Sequence, residues 1–199
     1  MRTVTLAAFA GVCGFTYFFA HEAYGRGQLA ADYFAKNATL TDLQASDDRM
    51  GRLLATLVLV QIVAAVALAW WTFRTVRNAQ QRFPRDNHRP ALAGLLWFVP
   101  IINTFTPWSM VKKAATGSGK SVGSVSLWQT FFVLQILASF MGNRGVEYVG
   151  HTQQEIIDQL HQQGIYIYST FGLLTLATIA ATVAMIGVDR ATSGRATNG

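Results

Sequence analysis

The chain has 199 residues, of which 51% are hydrophobic and only 13% are charged. Soluble domains carry about 25% charged residues, so this composition argues against a soluble globular protein. The formal net charge is +6, but the basic residues stand beside long apolar segments, which favours membrane topology over nucleic-acid binding as their explanation. A single cysteine, Cys13, excludes a disulfide framework and a thiolate metal cluster, and we expect it to be a packing residue.

Four uncharged apolar windows are each long enough to cross the roughly 30 Å hydrocarbon core as a helix, which takes about 20 residues. They are Thr3–Ala20, Leu53–Phe73, Ser121–Gly142 and Ile165–Val188. They predict an all-α four-span bundle within one membrane domain, residues 1–188, and a short disordered tail, residues 189–199. No small-x-small cleavage pattern follows the first window, so we expect a retained span and not a signal peptide.

The charges of the connecting segments predict the topology. The first connection has a net charge of −1 and the third a net charge of −2, whereas the second carries eight basic residues against one acidic residue, a net of +7. Lys and Arg in short loops favour the cytoplasmic side. We therefore expect both termini and the basic middle loop in the cytoplasm, and the two acidic connections outside.

A fifth apolar stretch, Ala91–Met110, lies within the basic loop. If it crossed the membrane, Lys112, Lys113 and Lys120 would lie outside, and the last two spans would both be inverted against their flanking charges. We expect this stretch to enter and leave on the cytoplasmic side as a re-entrant or interfacial element. A short fifth span is the alternative.

Two prolines make this stretch a poor straight helix. Pro100 and Pro107 each remove a backbone N–H donor, and each disfavours helix in the preceding residue. Unsatisfied backbone groups are tolerated at membrane depth only where protein or water satisfies them. We expect a broken hydrophobic element here, with Trp97 and Trp108 at headgroup depth.

The same stretch carries a resemblance to a known family. The segment Trp97–Trp108, with an aromatic pair, a Pro-x-x-Asn pattern and a proline before an aromatic, follows the Arg-Asn-containing segment Phe73–Ala79. This pattern resembles the bacterial membrane-protein family called domain of unknown function 4328, over roughly Trp70–Lys113 and by hydrophobic layout to about Val188. Family members often carry a basic residue where this chain has Thr106. The resemblance implies a multi-pass protein of the bacterial plasma membrane and implies no activity.

The broken element provides the first candidate site. A broken helix leaves orphan amide and carbonyl groups, and the Asn103 side chain can cap them or hydrogen-bond to another helix. Structural capping is the favoured interpretation, and a small polar cavity of the kind found at broken helices in transporters is the alternative. The site would comprise Trp97, Pro100, Asn103, Pro107 and Trp108.

The basic loop is the second candidate. Each cation near an anionic leaflet contributes around 1 kcal/mol, so these residues would set the topology and hold the loop on anionic headgroups. Specific binding of a lipid headgroup or a partner protein is the sharper alternative. The residues concerned are Arg74, Arg77, Arg82, Arg85, Arg89, Lys112 and Lys113.

A metal site on the outer side is the third candidate. Thr152 and Glu155 form a capping-box pattern, which predicts a short amphipathic helix to about Gln163 that ends at Gly164. A solvated polar face is the favoured interpretation, so we expect neither a metal nor another cofactor. The candidate ligands are His21, His151, Glu155 and Asp158.

Three functional hypotheses remain open. No span has a charged residue near its midpoint, which argues against a pump, and two small-xxx-small pairs, Ala177/Ala181 and Ala180/Ala184, suit helix contact within the chain or between copies. The leading hypothesis is a non-enzymatic scaffold, accessory or homo-oligomeric membrane component, with anionic lipid and a membrane protein as partners. The alternatives are a small transporter or channel at the broken helix, and a metal-assisted enzyme at the outer face.

Overall fold

The chain is all-α. The computed structural model describes residues 2–82, 89–99, 106–116, 123–142 and 152–192, of which 95% are helical and none is in a strand. The helices are α1 (Arg2–Phe34), α2 (Leu40–Arg82), α3 (Pro90–Leu95), α4 (Thr106–Thr116), α5 (Gly123–Gly142) and α6 (Gln153–Thr192), with a 3-10 turn at Leu96–Phe98. The predicted all-α class is confirmed.

Three helices, α1, α2 and α6, are long and apolar enough to cross a membrane, as expected of a membrane protein. Each extends beyond its predicted apolar window: α2 has 43 residues, about 64 Å of helix, against about 30 Å of hydrocarbon. Helix α5 has 20 residues, and it is apolar over Gly123–Leu137, the part whose side chains the structure describes. The predicted fourth span therefore stays a prediction.

The described parts of the stretch 91–110 belong to two helical pieces. Helix α3 has Pro90 in its first turn and continues as the 3-10 turn, and α4 begins at Thr106. Pro107 is the second described residue of α4. Pro100 and Asn103 lie outside the described residues, so the predicted break is not tested.

One predicted helix end is wrong. Helix α6 does not end at Gly164 but continues through it to Thr192. A Cβ atom on Gly164 would lie 2.8 Å from the Cα of Tyr24, so this glycine permits close contact between α1 and α6 and is not a C-cap. The predicted capping box at the start of α6 is confirmed: Glu155 Oε2 accepts hydrogen bonds from the Thr152 amide at 2.7 Å and its hydroxyl at 3.0 Å.

The helices form two compact units, and α1, α2 and α6 contribute to both. Unit 1 comprises residues 1–10, 61–133 and 176–199, and unit 2 comprises residues 11–60 and 134–175. The main core of unit 1 is aromatic and alanine-rich, with residues from α2, the 3-10 turn, α4, α5 and α6. A smaller core joins α2, α3 and α4 around Val76 and Ala93.

Unit 2 is held by small residues on α1. Its buried positions at helical spacing are Ala20, Ala23, Gly27 and Ala30. A Cβ atom on Gly27 would lie 2.8 Å from the His161 ring, while Tyr24 lies against Gly164. Each helix therefore places one ring against a glycine of the other helix, which lets α1 and α6 approach closely. The two helices are antiparallel, because the later glycine of α1 meets the earlier residue of α6.

Candidate functional site

Four buried tryptophans meet in unit 1 and form what we call the tryptophan cluster: Trp71, Trp97, Trp108 and Trp128. The ring centroids of Trp97 and Trp108 are 5.0 Å apart, and those of Trp108 and Trp128 are 4.5 Å apart. Trp71 lies 6.2 Å from Trp128. These separations are those at which aromatic rings attract one another. Two of the predicted site residues thus lie together with two tryptophans that the sequence analysis did not single out.

Trp97 and Trp108, which the sequence predicts at headgroup depth, are buried inside unit 1. Trp97 is 6% exposed and Trp108 is 0% exposed, so both rings pack on protein and not on its outer surface. Interfacial anchors present their rings outward. The depth of these residues in a bilayer stays a prediction, and their packing role is the observed one.

The indole N–H groups of the cluster have unequal partners. Trp97 Nε1 donates to the buried Thr72 hydroxyl at 2.8 Å, and Trp71 Nε1 donates to Asp189 Oδ1 at 3.1 Å. Asp189 also pairs with Arg2 at 3.7 Å, which connects α1, α2 and α6 within unit 1. By contrast, Trp108 Nε1 is buried and has no acceptor among the residues that the structure describes, a condition that costs about 1–3 kcal/mol.

The predicted basic residues differ in their exposure. Lys112 is half-buried, and its Nζ donates to Gln129 Oε1 at 3.0 Å, so one of its N–H groups is used within unit 1. The side chain of Arg82 and all of Arg85 lie outside the described residues. The exposed members are Arg74, Arg77, Arg89 and Lys113.

An exposed apolar face on α2, which we call the α2 stripe, leads to two of these cations. Its members recur at helical spacing: Leu59, Ile62, Val63, Val66 and Trp70. One and two turns after Trp70, the same face continues with Arg74 and Arg77, both exposed. This order is typical of a helix that leaves the hydrocarbon core: an apolar face is followed by an exposed tryptophan and then by cations.

Charge is divided unequally between the two units. The described side chains of unit 1 include seven basic residues and one acidic residue, Asp189, whereas those of unit 2 include four basic and seven acidic residues. The basic set of unit 1 is Arg2, Arg74, Arg77, Arg89, Lys112, Lys113 and Arg190. The amino-terminal arginine and the last arginine of α6 therefore belong to the same unit as the basic loop.

The predicted outer metal ligands are not brought together where the structure describes them. His21 Nδ1 lies 3.4 Å from the Tyr168 hydroxyl, Glu155 accepts the cap hydrogen bonds of Thr152, and Asp158 accepts from Gln154 at 3.0 Å. His151 lies outside the described residues. Among the residues searched, no group of three or more His, Cys, Asp or Glu side chains could hold a metal ion.

Unit 2 contains a groove of about 280 Å³ that the sequence analysis did not predict. Its walls come from the end of α1, the start of α2 and the start of α6, so no local sequence pattern could reveal it. Most of the lining is apolar, and the Arg26–Asp47 ion pair, at 2.5 Å, lines it as well. We refer to this feature as the unit 2 groove.

Comparison with known proteins identifies a family and nothing more specific. The model of a family described as "Domain of unknown function (DUF4328)" matches residues 36–192, a range that includes the segment Trp70–Lys113 that carries the resemblance. No protein of curated description and no solved structure matches the chain.

Proposed function

We propose that this chain, which belongs to the DUF4328 family, is a non-catalytic, multi-pass membrane component. It acts through contacts with anionic lipid and with a partner membrane protein. The observation that carries this proposal is the charge of unit 1, with seven described basic side chains against one acidic one. Lys and Arg accumulate beside the cytoplasmic leaflet. Both termini and the basic loop are then cytoplasmic, in a bacterial plasma membrane that α5 crosses as a fourth span.

The α2 stripe supplies the lipid contact. Its apolar residues face hydrocarbon, Trp70 lies at the boundary, and the next two cations on this face, Arg74 and Arg77, reach the headgroups. Each such cation contributes around 1 kcal/mol near an anionic surface. Because exposed charges are screened by salt, the contact weakens as ionic strength rises.

The alanine face of α6 helps to decide whether the protein partner is a second copy of this chain or a different protein. Ala177, Ala180, Ala181 and Ala184 are all at most 5% exposed in the core of unit 1. Their small-xxx-small spacing therefore serves packing within the chain and is not free for a second copy. This favours an accessory role beside a different membrane protein over a homo-oligomer. The transporter alternative relied on Pro100 and Asn103, outside the described residues, and gains no support here.

Cysteine accessibility tests the orientation. In a Cys13→Ala background, the exposed neutral residues Ala45 and Gln80 of α2 are replaced singly by cysteine. An impermeant maleimide should label Ala45→Cys in intact cells and Gln80→Cys only in inverted vesicles. The reverse pattern, or labelling of both from one side, would contradict the proposed topology.

Lipid retention and crosslinking test the contacts. Protein purified in mild detergent should retain less anionic phospholipid when Arg74 and Arg77 are both changed to Gln, and unchanged amounts when Arg49 and Arg52 are changed instead. Crosslinking in native membranes should join the chain to a second polypeptide. Equal lipid retention in both double variants, together with crosslinking that yields only monomer, would overturn the proposal.

A further inference from the structure

The unit 2 groove has a mostly apolar wall and a charged end, and Tyr33 and Gln44 also line it. The apolar wall comprises Ala30, Phe34, Leu40, Leu43, Ile156 and Leu160. Along α1 and α2, the polar residues Arg26 and Asp47 lie nearest the apolar windows, while Phe34 and Leu40 lie farthest from them. The groove therefore runs from a charged pair toward an apolar wall at the outer ends of these helices.

Bilayer lipid is a poor occupant of this groove. Arg26 lies six residues after Ala20, and Asp47 lies six residues before Leu53, so the charged pair is about 9 Å beyond both apolar windows. Most of the apolar wall lies farther out still, with Phe34, Leu40 and Ile156 nine or more residues beyond the windows, while Leu160 lies about level with the pair. This order is the reverse of a membrane lipid, whose chains point inward from its headgroup. By the predicted windows the apolar lining lies on the aqueous side, where an exposed apolar surface is suited to an apolar occupant from solution.

The charged pair retains binding capacity for both signs of charge. Arg26 uses one nitrogen, Nη2, in its contact with Asp47 Oδ1, so most of its five N–H donors are not used in that bond. Asp47 is 62% exposed at its side chain, and its second oxygen is not part of the pair. An Arg fork binds a carboxylate, and an aspartate accepts from an ammonium group, so the pair is complementary to a small zwitterion.

The geometry points to a binding site for an α-amino acid with a large apolar side chain, such as leucine or phenylalanine. Its carboxylate binds Arg26, its ammonium group binds Asp47, and its side chain packs against Leu43, Phe34 and Ile156. At about 280 Å³, the groove is at the small end of ligand cavities, which suits a single small molecule. This site is independent of the lipid and protein contacts proposed above.

Binding of free amino acids to the full-length protein in nanodiscs tests the site. Isothermal titration with L-leucine and L-phenylalanine should give saturable binding, whereas glycine, N-acetyl-leucine and leucinamide should bind at least about 10-fold more weakly, since each lacks one recognised group. Absence of binding by any apolar amino acid at millimolar concentration would overturn the assignment. Equal binding of N-acetyl-leucine or of a medium-chain fatty acid would do so as well, because it would indicate a general amphiphile groove.

Variants of the charged pair provide the second test. Arg26→Gln and Asp47→Asn should each weaken leucine binding about 10-fold or more. Asp48→Asn makes the same chemical change at the next residue, outside the groove lining, and Arg49→Gln breaks the other ion pair of unit 2, with Glu22; both should bind leucine normally. The thermal midpoint and elution volume of each variant establish that it is folded, and wild-type affinity in a folded Arg26→Gln or Asp47→Asn protein would refute the site.

Discussion

The two units of the molecule hold the same three long helices by opposite means. Unit 1 fills its interior with large rings, and Trp108 alone contacts Trp97, Trp128 and Phe132 within 5.6 Å between centroids. In unit 2 the helix contact is formed at glycines, and Gly27 and Gly164 allow α1 and α6 to touch because they have no side chain. Loss of volume should therefore damage unit 1, and gain of volume should damage unit 2.

The units also use charge differently. In unit 2 acidic and basic side chains pair across α1 and α2: Glu22 accepts from Ser46 and Arg49, each at 3.0 Å, and Arg26 pairs with Asp47. In unit 1 most described cations are exposed, and Asp189 is the one described carboxylate available to them. A net positive surface that is not neutralised internally is suited to an external anion, whereas the paired surface of unit 2 stabilises its own helices.

The largest expected effect is the removal of a ring from unit 1. Trp108→Ala should lower the free energy of unfolding by about 3–5 kcal/mol, because a fully buried indole is replaced by a cavity. Trp70→Ala is the matched control, since Trp70 is 50% exposed, and it should cost much less. Unfolding in mixed detergent and SDS micelles, followed by circular dichroism, gives both values. Similar costs would contradict a core that depends on ring packing.

The second effect, in unit 2, comes from adding one methyl group. Gly164→Ala should destabilise the protein by about 1–3 kcal/mol, because the new Cβ meets the Tyr24 backbone at 2.8 Å and the backbone cannot turn aside. Gly172→Ala, in the same helix with nothing within 4 Å, should be neutral or stabilising, since alanine favours helix by up to about 1 kcal/mol over glycine. The same micelle titration compares them, and a stable Gly164→Ala protein would exclude the close contact.

Much of the fold could be predicted from the sequence because its signals are local. The apolar windows Leu53–Phe73 and Ile165–Val188 lie within α2 and α6, and the capping box at Thr152 lies where α6 begins. The helix lengths could not be predicted by hydropathy. Helix α1 continues beyond its apolar window because charged residues such as Glu22 and Arg26 find partners on α2, which satisfies them without ending the helix.

The candidate sites were predicted less well because they depend on contacts distant in sequence. Hydropathy and proline spacing drew attention to Trp97 and Trp108, but not to Trp71, whose partner Asp189 is 118 residues away. The sequence predicts a helix end at Gly164 because a glycine after an amphipathic segment is a common C-cap. Only the approach of Tyr24 reveals its actual role.

A smaller effect separates packing from hydrogen bonding within the tryptophan cluster. Trp97→Phe and Trp108→Phe remove similar ring volume from the same core, but only Trp97 loses a hydrogen bond, to Thr72. Trp97→Phe should therefore be the less stable variant by at least about 1 kcal/mol, because it leaves the buried Thr72 hydroxyl without its donor, whereas Trp108→Phe removes an N–H that has no acceptor among the described residues. Combining Trp97→Phe with Thr72→Val should remove most of this difference. Equal stabilities of the two single variants would mean that the Thr72 hydroxyl contributes nothing.

The smallest effect concerns the first turns of α2 and α6, which lie in unit 2. Both α2 and α6 start with a reciprocal cap, Thr39 with Asp42 and Thr152 with Glu155. Thr152→Ala should cost only about 0.5 kcal/mol, the low end for an N-cap, because the partners are exposed to water that can replace the lost bonds. Thr170→Ala, within α6, removes only a hydroxyl bonded to the Tyr166 carbonyl and should cost nothing measurable. Because the cap satisfies amides only in the first turn, amide hydrogen exchange should rise there in Thr152→Ala and stay unchanged around Gly164. Faster exchange at Gly164 would mean that the α1–α6 contact depends on the cap and not on Gly27 and Gly164.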